Sequence, residues 1–369
     1  MVSEEDELLK SMSEHQTRER LIDPELKKIG RFKKYIEEEV NSIDLKRKVF
    51  DIKDEPRPRG AWWWWFWLFF FNNPKNPKKP RQLMILWSTK NVKQINCNNL
   101  KIRLNHSQDR NKLDGAVAAW YLDGEKMHHN FLLEQCKINV TDNELFSNSN
   151  TYTSFSVHKN EKKVRIGDDF RFVAEAKNKH NFATSTYHSH TYFRNIGYSL
   201  LRSNHHELSG KIGDENIHGS AYFQRVFVNA PSPSWYWGVF HFENGGILTY
   251  FNPHLFGKSL KKNISFFDGN RIHEFADMQI EKSGKLPTFT VSGENGHEKI
   301  NFTVQSYSHS SWTFRKKTLG IIPSKLVYNE YPAVISDLSL TNRRTGKETV
   351  LEDFGKSVGN AEHTTGFLL

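Results

Sequence analysis

Trp62 to Phe71 reads Trp-Trp-Trp-Trp-Phe-Trp-Leu-Phe-Phe-Phe, in a chain whose mean hydropathy is only -0.68. Half of the ten tryptophans sit in this one segment. Rings of this size supply a large apolar area and a polarizable wall, so the run either packs a core densely or lines a cavity for something greasy. With Ala61 it is still far shorter than the roughly 20 residues a membrane-spanning helix needs. Arg57, Arg59, Lys75, Lys78 and Lys79 flank it. A short, aromatic, apolar stretch of this kind reads as a buried β-strand.

Turn signals carry the same reading along the rest of the chain. Asn72 to Pro80, rich in Pro and Asn, separates the aromatic strand from a strand at Leu83 to Ser88, which predicts a hairpin. Asp123-Gly124 between Ala116 to Leu122 and Lys126 to Leu133 predicts a second. Further short strands follow, among them Phe170 to Ala176, Ser220 to Val228, Trp235 to Phe242, Ser324 to Tyr328 and Ala333 to Leu340. Many short strands with almost no helical pattern between them indicate an all-β sandwich or barrel. A chain of 369 residues has room for two. The polar, glycine-containing stretch 203–219 places a boundary near 210–219, dividing 56–212 from 213–369. Residues 1–55 read as a charged helical arm: Asp23 caps, Pro24 opens the first turn, and Leu26, Ile29, Phe32, Ile36, Val40 and Ile43 form one apolar stripe.

Composition narrows the functional classes. The formal charge of +10 is scattered and no zinc-finger, helix-turn-helix or RNA-recognition signature organises it, so no nucleic-acid partner is expected. Basic residues around the aromatic run suit contact with an anionic membrane surface. Cys97 and Cys136 are too few for a disulfide framework, and the acidic start of the chain does not read as a secretory signal, so a cytoplasmic protein, peripheral to the membrane at most, is expected. The Asn-x-Ser/Thr matches at Asn105, Asn139, Asn263 and Asn301 lose their meaning in that setting. His188 and His190 share a strand face, but no third ligand is identifiable and no metal is expected. Nor is there a His-Glu-x-x-His, a phosphate-cradling Gly loop or a Gly-x-Ser-x-Gly elbow.

The wording of the second half is distinctive. Gly219-Ser220-Ala221-Tyr222-Phe223-Gln224-Arg225-Val226-Phe227, then Trp235-Tyr236-Trp237-Gly238-Val239-Phe240-His241-Phe242, then Gly245-Gly246-Ile247-Leu248-Thr249-Tyr250, resembles the carotenoid 1,2-hydratase (hydroxyneurosporene synthase) and AttH-like family. Gly359 to Gly366, with Glu362 and His363, looks like that family's closing strand, and Trp62-Trp63 like its opening pair, although Gly60-Ala61 stands where the family carries an acid. The resemblance implies an all-β fold of two tandem lipocalin-like antiparallel β-barrels after the arm. It also implies no metal or organic cofactor, and activities that include hydration or cyclisation of an isoprenoid.

Hydration of such an alkene needs a proton donor, a wall that stabilises a tertiary cation, and one positioned water. His241, Asp268 and Glu362 are the candidate acids. Trp63, Trp64, Tyr222, Trp237, Tyr250 and His363 are candidates for the wall, and Gln224 with a tyrosine hydroxyl for the water. Each has a structural alternative. Trp237 and Tyr250 could be barrel core, His241 a buried histidine bonded to backbone, Asp268 a turn residue, and Glu362 the partner of an arginine such as Arg315. The expected partner is an apolar small molecule, an isoprenoid or lipid. Beside the hydratase or cyclase stand two further readings: a non-catalytic lipid or terpenoid carrier, and an interaction protein with filled barrels.

Overall fold

The computed structural model describes residues 34–39, 47–50, 52, 58–104, 111–159, 161–177, 185–191, 197–230, 232–255, 258–318 and 322–368. The chain is built almost entirely of antiparallel strands in two sheets. Trp62–Phe71 pairs on one side with Arg81–Lys90, as the Asn/Pro loop predicts, and on the other with Glu215–Asn229. From Arg81–Lys90 the sheet runs on through Lys112–Leu122, Met127–Val140, Glu144–Asn148, Tyr152–His158, Glu161–Ile166, Phe170–Glu175 and Gly197–Ile212. That last strand pairs with Glu215–Asn229, so ten strands close into a barrel. The Asp-Gly hairpin forms as expected, with Gly124 at φ +99.

The second sheet follows a path through Ile272–Phe275, Asn263–Phe267, Ile247–Leu255, Ser234–Phe242, Ser357–Phe367, Ile322–Asn342, Glu298–Ser306, Thr288–Glu294 and Asp277–Ser283. Its first and last segments are consecutive in the chain, separated by Ala276 alone, so one bent strand joins the two ends. The hairpin of Gln94–Cys97 and Leu100–Arg103, from the first half of the chain, crosses over to this sheet by pairing Cys97 with Phe314.

Two expectations need correction. The boundary expected between 212 and 213 falls inside a hairpin whose two arms close the first barrel, and the sheets divide instead between Asn229 and Ser234. The polar stretch that suggested a linker is the ladder itself, in register from Glu207 with Ser220 to Ile212 with Glu215. The helical arm is the second. Lys34–Glu39 is a strand, antiparallel to Ser185–Thr191, whose backbone edge offers it partners that a lone charged helix would lack. The rest of the expected helix, 23–33 and 40–43, lies outside the described residues.

Strand alternation decides where the aromatic run goes. Trp63, Trp65, Trp67, Phe69 and Phe71 point into the first barrel, among Val117, Phe155, Phe172 and Phe223. Trp62, Phe66, Leu68 and Phe70 point the other way, onto the second sheet, among Tyr222, Trp237, Val239 and Trp312. Inside the second sheet a separate core gathers Phe240, Tyr250, Phe289, Phe302 and Tyr331. One run therefore supplies two cores, a lumen and a seam between the sheets. Cys97 and Cys136 are buried free thiols, both pushed up to about 12 by burial and so held un-ionised.

Candidate functional site

The seam is built from one face of each sheet. From the first barrel come Phe66, Met84, Ala116, Ala118, Trp120 and Tyr222; from the second come Trp235, Trp237, Val239, Leu326 and Tyr328. On Ile322–Asn342, Tyr331 and Ala333 face the inner core, which sends Tyr328 and Glu330 to the seam. On Ser357–Phe367, Ala361 faces inward and Val358 outward, so Asn360 and Glu362 also face the seam. The two strands pair Glu330 directly opposite Glu362. Two carboxyls thus share one site, Glu330 at 0% and Glu362 at 4% exposure.

Their partners are donors from both halves of the molecule. The Trp120 indole N–H, from the first barrel, donates to Glu330 Oε2. The Trp235 indole N–H donates to Glu362 Oε2 at 2.9 Å, and the Tyr328 hydroxyl donates to Glu362 Oε1. The Trp312 indole also faces Glu330 without closing a hydrogen bond. Burial is the dominant cause that pushes Glu362 up to about 7 and Glu330 well above the usual carboxylate range, with the charge of Glu362 raising Glu330 further. At neutral pH the pair therefore keeps at least one proton between two facing carboxyls. Glu330 Oε1 and both heteroatoms of the buried Asn360 amide find no hydrogen-bond partner among the described residues. Buried polar groups are nearly always paired, so the open atoms beside this acid pair single it out as the candidate site.

Aromatic faces surround the pair. Trp235 and Tyr328 lie with ring centroids 5.7 Å apart, Tyr222 and Trp237 5.2 Å apart, and Phe66 stands edge-on to Trp237 at 6.4 Å. Burial raises the Tyr222 hydroxyl, and the charge of Glu362 adds to it across the seam. The same hydroxyl donates to Gln224 Oε1 at 3.0 Å. Gln82 crosses from the first barrel to donate to the Gly359 carbonyl at 2.8 Å and to the Tyr307 hydroxyl at 2.6 Å, which fixes one wall against the other.

Of the residues singled out in the sequence, the seam brings together Glu362, Tyr222, Gln224 and Trp237, with Trp64 half-buried at its margin. Trp63 points into the first barrel, 5.0 Å from Phe227. Tyr250 lies on the inner side of the second sheet, over Gly238, where a Cβ would stand 2.9 Å from its hydroxyl. His363 stacks on Tyr236 at 4.2 Å and is held down to about 4 by burial and by the charges of Lys282 and His254. His241 reaches the seam, but its ring nitrogens are taken by Ser220 Oγ and the Asn204 carbonyl, both at 2.7 Å. Asp268 caps its own turn at Asn270 and Arg271 and bonds His273 at 3.0 Å. Glu362 takes indole and phenol donors, and among the described residues Arg315 is not its partner.

Glu330, Asn360, Trp120, Trp235 and Tyr328 are the residues that reading the sequence alone missed. A signal was present for Glu330, which continues the seam-facing alternation Leu326, Tyr328, Glu330. Pro332 hid it by splitting one 21-residue strand into two expected ones. The strand tolerates the proline, whose carbonyl accepts from the Tyr307 N–H at 2.9 Å.

Among the described residues no group of three or more His, Cys, Asp and Glu side chains is placed to hold a metal ion. No helix among them is long and apolar enough to cross a membrane. His188 and His190 lie on Ser185–Thr191, whose side chains fall outside the described residues.

No family model matches the chain, and no curated protein matches it. Among solved structures the chain is similar to one assigned as an AttH protein from Nitrosomonas europaea, at 11% identity over 84% of this chain and 94% of that chain, with a TM-score of 0.48. It is also similar to CghA, solved with Sch210972, at 9% identity over 83% of this chain and 88% of that one, with a TM-score of 0.42.

Proposed function

We propose that the seam between the two sheets is an acid-base site that adds water across, or closes a ring through, a carbon–carbon double bond of an apolar isoprenoid-like substrate. The observation that carries this reading is the Glu330–Glu362 pair: directly opposed, buried, and holding a proton at neutral pH among indole and phenol rings. A carrier has no use for an acid facing its apolar surface. In the hydration step the carboxylic O–H of the Glu330–Glu362 pair breaks and its proton forms a C–H bond with one alkene carbon, leaving a cation on the other. Water then forms the C–O bond and returns a proton to the dyad, which restores the starting state. The faces of Trp237, Tyr222 and Trp235 stabilise the cation by about 0.5–2 kcal/mol each, more where water is excluded. Two facing carboxyls disfavour a second negative charge, the charge of Glu362 raising Glu330, so the pair keeps its proton, and the open amide of Asn360 with the Gln224–Tyr222 pair orients the water.

The test begins with the full chain purified from an isoprenoid-producing host, native mass spectrometry and solvent extraction of whatever accompanies it. The recovered polyene is then incubated with the protein in heavy water and in oxygen-18 water. One deuteron on carbon and one labelled hydroxyl are expected, or a deuteron without labelled oxygen if a ring closes. Glu362→Gln should lose both labels. Trp237→Ala should retain the chemistry with kcat lowered about tenfold, one cation–π contact being worth about 1.4 kcal/mol here. Full turnover in Glu362→Gln would end the proposal.

A further inference from the structure

One nucleophilic group of the seam takes no part in the acid-base chemistry. Lys90 ends the strand Arg81–Lys90 in register with Trp62, and its Nζ stands 4.6 Å from the centroid of the Trp62 ring, on the face that carries Trp62 into the seam. The residue is only 4% exposed. Its ammonium donates to the Gly60 carbonyl at 2.8 Å, and among the described residues no carboxylate pairs with it. Burial, joined by the charge of Lys316, lowers the amine to about 7. Lys316 continues the seam-facing alternation Trp312, Phe314 on Ser310–Thr318, and Arg59 adds a third positive charge beside it. Trp64 and Phe314 stand edge-on to Trp62 at 5.5 and 5.4 Å. Trp64, Phe314 and Lys316 are half-buried and Arg59 is exposed, so this end of the seam borders solvent.

A lysine attacks a carbonyl only as the free amine, and desolvation beside a second cation is what frees it. At pH 7 Lys90 is neutral about half the time, whereas an ordinary lysine is neutral in only about one molecule in a few thousand. Basicity alone does not make a site. Lys162 is also buried and lowered to about 8, but it lies opposite Val157 and Ala174 in the closed core of the first barrel, away from any half-exposed rim. We infer that Lys90 forms an imine with an apolar aldehyde at the Trp62 end of the seam. The amine lone pair forms a C–N bond to the carbonyl carbon, and a proton passes from nitrogen to the carbonyl oxygen. The C–O bond then breaks, the oxygen leaves as water with a second proton, and the C=N bond forms. Once protonated, the imine keeps one positive charge and one N–H, so the Gly60 carbonyl and the Trp62 face that hold the ammonium hold the iminium as well. Trp64 and Phe314 give the apolar part of the aldehyde its surface. The step uses neither Glu330 nor Glu362, and its failure would leave the acid-base reading untouched.

Cinnamaldehyde is the probe and glycolaldehyde its hydrophilic comparison, each incubated with the full chain at pH 7 and cyanoborohydride, whose hydride reduces the imine to a stable secondary amine. Peptide mass spectrometry then locates the label. On the unaltered protein Lys90 should be modified by cinnamaldehyde at least tenfold faster than Lys162 or the exposed Lys75, Lys78 and Lys79. That excess should fall severalfold with glycolaldehyde. Without reductant, the cinnamaldehyde imine should quench tryptophan fluorescence saturably. Lys90→Arg, which keeps the charge and a donor for the Gly60 carbonyl but cannot form an imine, should abolish the quenching and unfold as the parent does. Labelling spread evenly over the exposed lysines, Lys162 labelled as fast as Lys90, or quenching that survives Lys90→Arg would each overturn the inference.

Discussion

Replacing Glu362 by glutamine will flatten the pH dependence of stability between about pH 4.5 and 7 by about 3 kcal/mol relative to the parent chain. Burial raises the Glu362 carboxyl to about 7 in the folded chain, whereas the unfolded chain ionises it at its ordinary value. The folded state therefore binds the proton more tightly. Its stabilising contribution is complete below the unfolded value and is lost as pH rises through about 7. Glutamine has the same shape and never ionises; its carbonyl still accepts from the Trp235 N–H, and its amide donates to the Tyr328 hydroxyl. Urea unfolding of both proteins from pH 4 to 8.5 checks this. Lys90, Lys162, His206 and His241, all lowered by burial, also titrate in their own windows, but they are common to both chains and cancel in the difference. Glu330 loses the raising charge of Glu362 in the variant, but burial, the larger cause, still holds it up. Parallel stability profiles would mean that Glu362 is not held protonated in the seam. The catalytic reading would then lose its acid.

Gly219→Ala will cost about 3 kcal/mol or more, because the barrel closes at that residue with no room for a methyl group. Gly219 faces Phe71 across the ladder, and a Cβ built on it would stand 1.9 Å from the Phe70 carbonyl oxygen and 2.9 Å from the Phe71 Cα. Those atoms are backbone and cannot rotate away. The strand pair must separate locally, weakening the ladder that holds the tryptophan strand to Glu215–Asn229 and with it both faces of the aromatic run. Gly296→Ala is the control, since nothing lies within 4 Å of its Cβ position; its effect should stay within about 0.5 kcal/mol. Equal urea midpoints for the two variants would show that the close approach at Gly219 is absent.

Reading by pattern reached some elements and failed at others for definite reasons. The Asp123-Gly124 turn was legible because a tight hairpin is specified within four residues. The strand character of Trp62–Phe71 was legible from its residue types, but not that it feeds two cores. An unbroken aromatic run does not reveal which alternate set faces a lumen and which a neighbouring sheet. Glycines and polar residues at 203–219 looked like a linker, and belong to a closing ladder where small residues let two backbones approach. Of the acid pair, Glu362 was found through its motif. Glu330 was hidden behind Pro332, and nothing local tells that a glutamate will be buried.

The sequence by itself determined that the chain is β throughout most of its length, where its tight turns fall, and that an aromatic strand lies at its centre, because those properties follow from residue type and a two-residue period. The tertiary structure decided the rest. The Trp120 indole meets Glu330 from 210 residues away, and Gln82 reaches the Gly359 carbonyl from 277 residues away. Such contacts arise only when two closed sheets press together, and burial between them, not any motif, keeps a glutamate protonated at neutral pH.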